Sequence, residues 1–62
     1  MFVLIRNEDG KFVARPGSKK SYTSSLQNAR QFATREDAER HRCGNERTVR
    51  TEDMLHKPEK LQ

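Results

Sequence analysis

The first apolar run of this 62-residue chain limits the possible folds more than any other feature. Phe2, Val3, Leu4 and Ile5 follow one another without a polar residue, and Arg6 ends the run. A strand with one polar face can lie at an open surface, whereas a strand that is apolar on both faces needs cover on both. The run therefore predicts a central strand, covered on both sides or covered once and paired with another subunit.

A hairpin is predicted directly after this strand. The stretch Asn7-Glu8-Asp9-Gly10 has turn composition, and Gly10 suits the left-handed position that closes a type I turn with a bulge. Residues 11–15 then alternate between polar and apolar, as expected of the return strand. Residues 16–21 begin with Pro-Gly and are predicted to form an exposed, flexible and basic loop.

Two helix starts follow the loop. Ser24 and Gln27 have the spacing of a capping box, which predicts a short first helix of about one or two turns. Thr34 is the predicted N-cap of a longer helix, which runs through Arg42 and has Gly44 as its stop.

The predicted fold class is α+β, with a small antiparallel three-stranded sheet and the element order β-β-α-α-β. Residues 46–51 supply the third strand, and residues 30–33 are predicted to be extended, with Phe32 in the core. The short helix and the longer helix are expected to pack on one face of the sheet, and Met54 and Leu55 to cover one edge of the core. We expect a single compact domain over residues 1–55 and a flexible C-terminal tail over residues 56–62.

Cover on one side would leave the opposite face of the sheet open. On this interpretation Val3, Ile5 and Val13 form an exposed apolar face that suits a protein partner or a second copy of the chain. The alternative, which we weigh equally, is that the loop or the tail covers these three side chains. The residues expected on the helix side are Phe2, Leu4, Phe12 and Ala14.

Charge is the second guide to function. Charged residues make up 35% of the chain against 31% hydrophobic residues, and the net charge is +4. The excess is concentrated in residues 1–21, which hold five basic and two acidic side chains. This bias suits a nucleic acid or an acidic protein surface equally well and argues against a mimic of DNA, which would be strongly acidic.

The basic loop and its neighbours form a candidate surface for nucleic acid or for an acidic protein. Phosphates would be contacted by basic side chains, and a base would stack on the single tyrosine. The alternative is that these cations only keep the chain in solution and that the tyrosine packs at the edge of the core. The residues concerned are Arg15, Lys19, Lys20, Tyr22, Arg30 and Arg35.

Metal and catalytic sites are not predicted. His41, Cys43 and His56 are possible zinc ligands, but the second ligand pair of a structural site is missing. Glu36 and Asp37 fall in the first turn of the longer helix, where carboxylates simply complement the helix dipole. We therefore predict no metal, no cofactor and no enzymatic activity.

The compartment is predicted from the cysteine content and from the first residues. A single cysteine excludes an internal disulfide, and this favours a reducing cytosol. The apolar run is too short for a signal peptide or for a membrane span, which needs about 20 residues. A cytoplasmic protein without membrane contact is expected.

The order of these motifs resembles small uncharacterised proteins that are common in bacteriophages and bacterial mobile elements. The resemblance covers residues 2–51 and implies the fold and a phage or prophage setting, with no catalytic residue. It also implies accessory roles, such as modulation of host or defence machinery. The motifs that carry it are Asp9-Gly10-Lys11-Phe12, Tyr22-Thr23, Leu26 with Ala29-Arg30-Gln31-Phe32, Thr34 and Ala38-Glu39.

Two functions are therefore predicted for comparison with the structure. The first is a non-enzymatic accessory protein that binds and inhibits a bacterial host or defence complex in the host cytosol, as an anti-CRISPR protein does, with a homodimer allowed. The alternative is a small basic protein that binds nucleic acid through the 15–22 loop.

Overall fold

A four-stranded antiparallel sheet forms the centre of the fold. The computed structural model describes residues 1–55, so the predicted tail lies outside the described residues. The strands lie in the order β3-β2-β1-β4. The elements are β1 (Phe2–Arg6), β2 (Phe12–Val13), β3 (Tyr22–Thr23), a 3-10 turn (Leu26–Asn28), α1 (Arg35–His41), β4 (Glu46–Arg50) and α2 (Thr51–Leu55).

The α+β class is confirmed, whereas the predicted strand number and element order are wrong. Two elements were missed, namely β3 at one edge of the sheet and α2 after the last strand. The predicted third strand exists as β4. It pairs with β1 along its whole length, from Phe2 opposite Arg50 to Arg6 opposite Glu46. This pairing makes β1 an interior strand, as its apolar character predicts.

The hairpin between β1 and β2 has the predicted turn. The backbone N–H of Gly10 donates to the carbonyl of Arg6 at 2.8 Å, and Gly10 has a φ of 75°. The carboxylate of Asp9 accepts from the Lys11 backbone N–H at 3.1 Å and from the Arg6 guanidinium. The hydrogen bond from Arg6 is the main cause that lowers the pKa of Asp9 to about 2. The turn is therefore fixed by both backbone and side-chain contacts.

A substitution at Gly10 should be costly because of this left-handed backbone. We expect Gly10→Ala to lower the free energy of unfolding by about 1 kcal/mol, the cost of placing a Cβ in that region. No atom lies within 4 Å of the added Cβ, so crowding would not contribute. Gly44 has equally open surroundings and no positive φ, which makes Gly44→Ala the matched control. Urea denaturation of both variants tests this, and equal losses would contradict it.

Residues 29–32, which we call the wedge segment, insert between β1 and β2. These strands pair directly only at Ile5 and Phe12, and beyond that point they diverge. Ala29 bridges to Ala14, directly after β2, while Phe32 exchanges two backbone hydrogen bonds of 2.8 Å with Phe2 on β1. The predicted extended segment and the burial of Phe32 are confirmed, since only 6% of Phe32 is exposed.

Both faces of β1 are covered, by different elements. On one face the 3-10 turn and α2 pack over the sheet, and on the other face α1 does so. The predicted placement of both helices on one face is therefore wrong. The first cluster consists of Val3, Ile5, Phe12 and Ala29, with Leu26, Val49 and Met54 packed against it. The second consists of Leu4, Phe32 and Ala38, with Phe2 and Val13 packed against it.

The predicted open face of Val3, Ile5 and Val13 is wrong. Val3 is fully buried and Ile5 is 6% exposed, because the 3-10 turn and α2 cover them. Val13 belongs to the other cluster, because the hairpin pairs Ile5 with Phe12. Directly opposed residues share a face, so Phe12 lies on the face where Val13 was expected. A shift of one residue in register exchanges every side chain between the two faces.

The predicted first helix is only a 3-10 turn, and the capping box of Ser24 and Gln27 does not form. Its N-cap is Ser25, which makes no side-chain cap hydrogen bond. The backbone N–H of Ser25 donates instead to Thr23 Oγ1 at 3.1 Å. The three successive polar residues that begin at Thr23 offer competing local hydrogen bonds between side chain and backbone, which favour turns over helices.

The longer helix begins where predicted and ends slightly earlier. Thr34 Oγ1 accepts a hydrogen bond from the Asp37 backbone N–H at 3.1 Å, which confirms Thr34 as the N-cap. The helix stops at His41, and Arg42 is already extended, with a φ of −74° and a ψ of 134°. Gly44 does not adopt the left-handed conformation expected of a helix stop. Within residues 1–55, no helix is long and apolar enough to cross a membrane.

Candidate nucleic-acid interface

Five of the predicted contact residues are cations without an ion pair in the described part of the chain. We call this set, Arg15, Lys19, Lys20, Arg30 and Arg35, the basic surface. Other cations pair with five of the carboxylates, and none of these ion pairs involves the basic surface. The ion pairs join Arg6 to Asp9, Arg40 to Asp37, Arg42 to Glu39, Arg50 to Asp53, and the Met1 ammonium to Glu52.

A tight turn presents the first three of these cations. The backbone N–H of Ser18 donates to the carbonyl of Arg15 at 3.1 Å, and Gly17 has a φ of 89°. These are the features of a type II turn with Pro at the first central position and Gly at the second. Lys19 and Lys20 follow the turn directly and are exposed, as is Arg15. The base of the predicted loop is thus ordered by the backbone.

The wedge segment brings Arg30 next to Arg15. The backbone N–H of Arg15 donates to Asn28 at 3.1 Å, and that of Arg30 donates to Val13 at 2.8 Å. Arg15 and Arg30 line one open groove, and Lys19 and Lys20 line a second one together with Asn28. The two grooves adjoin at Asn28, because its backbone carbonyl accepts the hydrogen bond from the Arg15 N–H. Loop and wedge cations therefore form one connected surface.

Two of the arginines are held against aromatic rings. The guanidinium carbon of Arg30 lies 4.9 Å from the ring centroid of Phe32, and that of Arg35 lies 5.1 Å from the centroid of Phe2. Because Phe2 and Phe32 are bridge partners, the two stacked arginines lie on neighbouring rings. Such contacts contribute about 0.5–1 kcal/mol each at exposed sites and hold the guanidinium near the ring.

Tyr22 is engaged inside the fold. Its hydroxyl donates to Glu46 Oε2 at 2.6 Å, and the Arg6 guanidinium carbon lies 3.9 Å above its ring. The hydrogen bond to Glu46, reinforced by burial, raises the pKa of Tyr22. One face of the ring and its hydroxyl are thus occupied, and Tyr22 is not counted in the basic surface, although its side chain lines the groove of Lys19 and Lys20.

Sequence reasoning missed Glu46, the acceptor that holds Tyr22. Only 4% of Glu46 is exposed, and its Oε1 accepts from the backbone N–H of Cys43 at 2.9 Å. A glutamate at the start of a polar strand gives no local sign of burial. The one indication is the alternation of side chains along a strand. It places Glu46 on the same face of β4 as Thr48, the residue that pairs with Leu4.

The possible zinc ligands have other roles where the structure describes them. His41 Nδ1 lies 2.9 Å from the carbonyl of Asp37, and its ring stacks on Phe32 at a centroid distance of 5.4 Å. Cys43 is exposed. Among residues 1–55, no group of three metal-ligating side chains is present. His56 lies outside that range.

Comparison with known proteins found no matching family model, no matching curated protein and no matching solved structure. The resemblance to phage-encoded proteins therefore stays a prediction.

Proposed function

We propose that the protein binds the phosphate backbone of nucleic acid through the basic surface and does not catalyse a reaction. The observation that carries this proposal is the connected set of five cations, from the loop, the wedge segment and α1, that lack ion pairs within residues 1–55. Cations in such a set release condensed counterions when they contact phosphates, and this release supplies most of non-specific affinity.

The composition of the exposed surface favours nucleic acid over a protein partner. Stable protein interfaces contain an apolar core with aromatic or aliphatic anchors, whereas nucleic-acid interfaces are polar and strongly positive. Among residues 1–54, Met1 is the only large hydrophobic residue that is exposed. The burial of Val3 and Ile5 removes the surface on which the inhibitor hypothesis depended. An acidic protein offers similar charge, and the experiment below separates the two partners.

The test removes the two lysines of the loop. We expect Lys19→Ala/Lys20→Ala to weaken binding to a mixed-sequence DNA duplex. The slope of log affinity against log salt should become shallower by about 1.8, since each lost phosphate contact removes about 0.9. Fluorescence anisotropy with labelled DNA at several salt concentrations measures both effects.

The matched control is Arg40→Ala/Arg50→Ala. It removes two cations as well, but both of them are already paired with aspartates. We expect its affinity and salt slope to stay close to those of the unchanged protein. Equal losses in both variants would mean that only net charge matters. Absence of DNA binding at low salt, or tighter binding to poly-glutamate than to DNA, would overturn the proposal.

A further inference from the structure

All four aromatic side chains of the chain are buried or half-buried. The chain contains three Phe, one Tyr and no Trp, and all four lie in the described residues. Phe12 and Phe32 are buried. Phe2 carries Arg35 on its ring, and Tyr22 carries Arg6. None of the four aromatic side chains is exposed, since Phe2 and Tyr22 are half-buried and each carries an arginine over its ring.

A protein that binds single-stranded nucleic acid normally stacks bases on exposed aromatic side chains, each stack contributing about 1–3 kcal/mol. Without such rings, a single strand is held only through its phosphates. Its lower charge density also releases fewer counterions per contact, with a slope of about 0.7 per phosphate against about 0.9 for the duplex. Both effects favour the double helix.

The stacked arginines add a preorganised element. Neither Arg30 nor Arg35 makes a side-chain hydrogen bond or an ion pair with another residue in the 1–55 range. Each guanidinium is nevertheless held over a ring, with its N–H groups unused. A guanidinium fork binds phosphate oxygens in a bidentate way, and a preoriented fork loses less conformational entropy on binding.

Resting on the proposed function, we propose that the basic surface recognises a double helix through its phosphate backbone, and that Arg30 and Arg35 are its oriented phosphate contacts. Base identity plays no part in this recognition, because phosphate contacts carry no sequence information. The loop lysines act as point charges that add salt-dependent attraction.

The first experiment compares a mixed-sequence DNA duplex with each of its separated strands. For five phosphate contacts, the two slopes differ by about one unit, so that with equal affinities at about 1 M salt the duplex binds roughly tenfold tighter at about 0.1 M salt. A second duplex with an unrelated sequence should bind equally well. Tighter binding of the single strands would overturn this inference and leave the proposed function intact. Absence of binding to any of these DNAs would overturn the proposed function itself.

The second experiment separates the shape of the guanidinium from its charge. Arg30→Lys/Arg35→Lys keeps both charges but loses the planar fork and its stacking. We expect about fivefold weaker duplex binding, equivalent to about 1 kcal/mol of lost cation–π and fork contacts, with an unchanged salt slope. Arg30→Ala/Arg35→Ala should bind more weakly still and flatten the slope by about 1.8.

Arg40→Lys/Arg50→Lys is the control for the exchange of cation type. It should bind like the unchanged protein, because these two arginines lie outside the basic surface and are paired with aspartates. Far-ultraviolet circular dichroism confirms the fold of each variant before its affinity is compared. If Arg30→Lys/Arg35→Lys binds the duplex like the unchanged protein, the role of the stacked arginines is wrong.

Discussion

Val3→Asp should unfold the protein instead of releasing it from a partner. Val3 is fully buried in the middle of β1, within the cluster that the 3-10 turn and α2 cover. A carboxylate placed there would lose its hydration without gaining a partner, at a cost of several kcal/mol. The core of a domain this small supplies only about 3–5 kcal/mol. Circular dichroism should therefore show loss of the folded spectrum without denaturant.

The control introduces the same charge at an exposed position. Gln27 lies in the 3-10 turn and is exposed. The free energy of unfolding of Gln27→Asp should therefore stay within about 0.5 kcal/mol of the value for the unchanged protein. A milder variant, Val3→Ala, should remain folded with a lower urea midpoint. A folded Val3→Asp variant that only changed its oligomeric state in sedimentation would contradict the buried position and restore the open-face hypothesis.

Glu46→Ala is the second substitution with a large expected effect. It removes the acceptor of two hydrogen bonds, one from the Tyr22 hydroxyl and one from the Cys43 backbone N–H. Hydrogen bonds to a charged acceptor contribute about 1.5–3 kcal/mol each, so we expect a loss of at least about 3 kcal/mol in the free energy of unfolding. Urea denaturation measures this loss, with Tyr22→Phe and the double variant completing a cycle.

Alkaline titration checks the same contact independently. Tyr22 is the only tyrosine and the chain has no tryptophan, so phenolate absorbance follows this one group. Its pKa is raised in the folded state, so the hydrogen bond to Glu46 contributes stability that is fully present below the ordinary tyrosine pKa of about 10. That stability is lost as pH rises through the raised pKa. In the Glu46→Gln variant, Tyr22 should lose its proton at lower pH than in the unchanged protein. An identical titration curve would contradict the contact.

Local signals in the sequence account for the parts of the fold that were predicted. The turn at Gly10 and the cap at Thr34 depend on neighbours only a few residues away. The two missed elements have no such support. The two-residue β3 strand exists because it pairs with β2, and α2 packs through Met54 against the first apolar cluster. Elements held mainly by tertiary contacts leave little trace in local patterns.

The candidate site divides in the same way. The cations of the loop were predictable, because charge and exposure can be inferred from composition. The stacking of Arg35 on Phe2 and the hydrogen bond between Tyr22 and Glu46 join residues far apart in the chain. They depend on how the wedge segment and β4 dock against β1. The sequence alone also permitted two hairpin registers, and only the pairing of Ile5 with Phe12 decides which face Val13 occupies.

The position of β1 between the two apolar clusters makes the molecule a single cooperative unit. Its successive residues alternate between the clusters, with Val3 and Ile5 in one and Leu4 in the other. The clusters have no residue in common, and the backbone of β1 joins them, as do the backbones of β2 and of the wedge segment. Neither half can open and leave the other intact, because the loss of either would expose one side of β1. We therefore expect residues 1–55 to unfold as one cooperative body, in which a substitution in β1 disturbs both clusters.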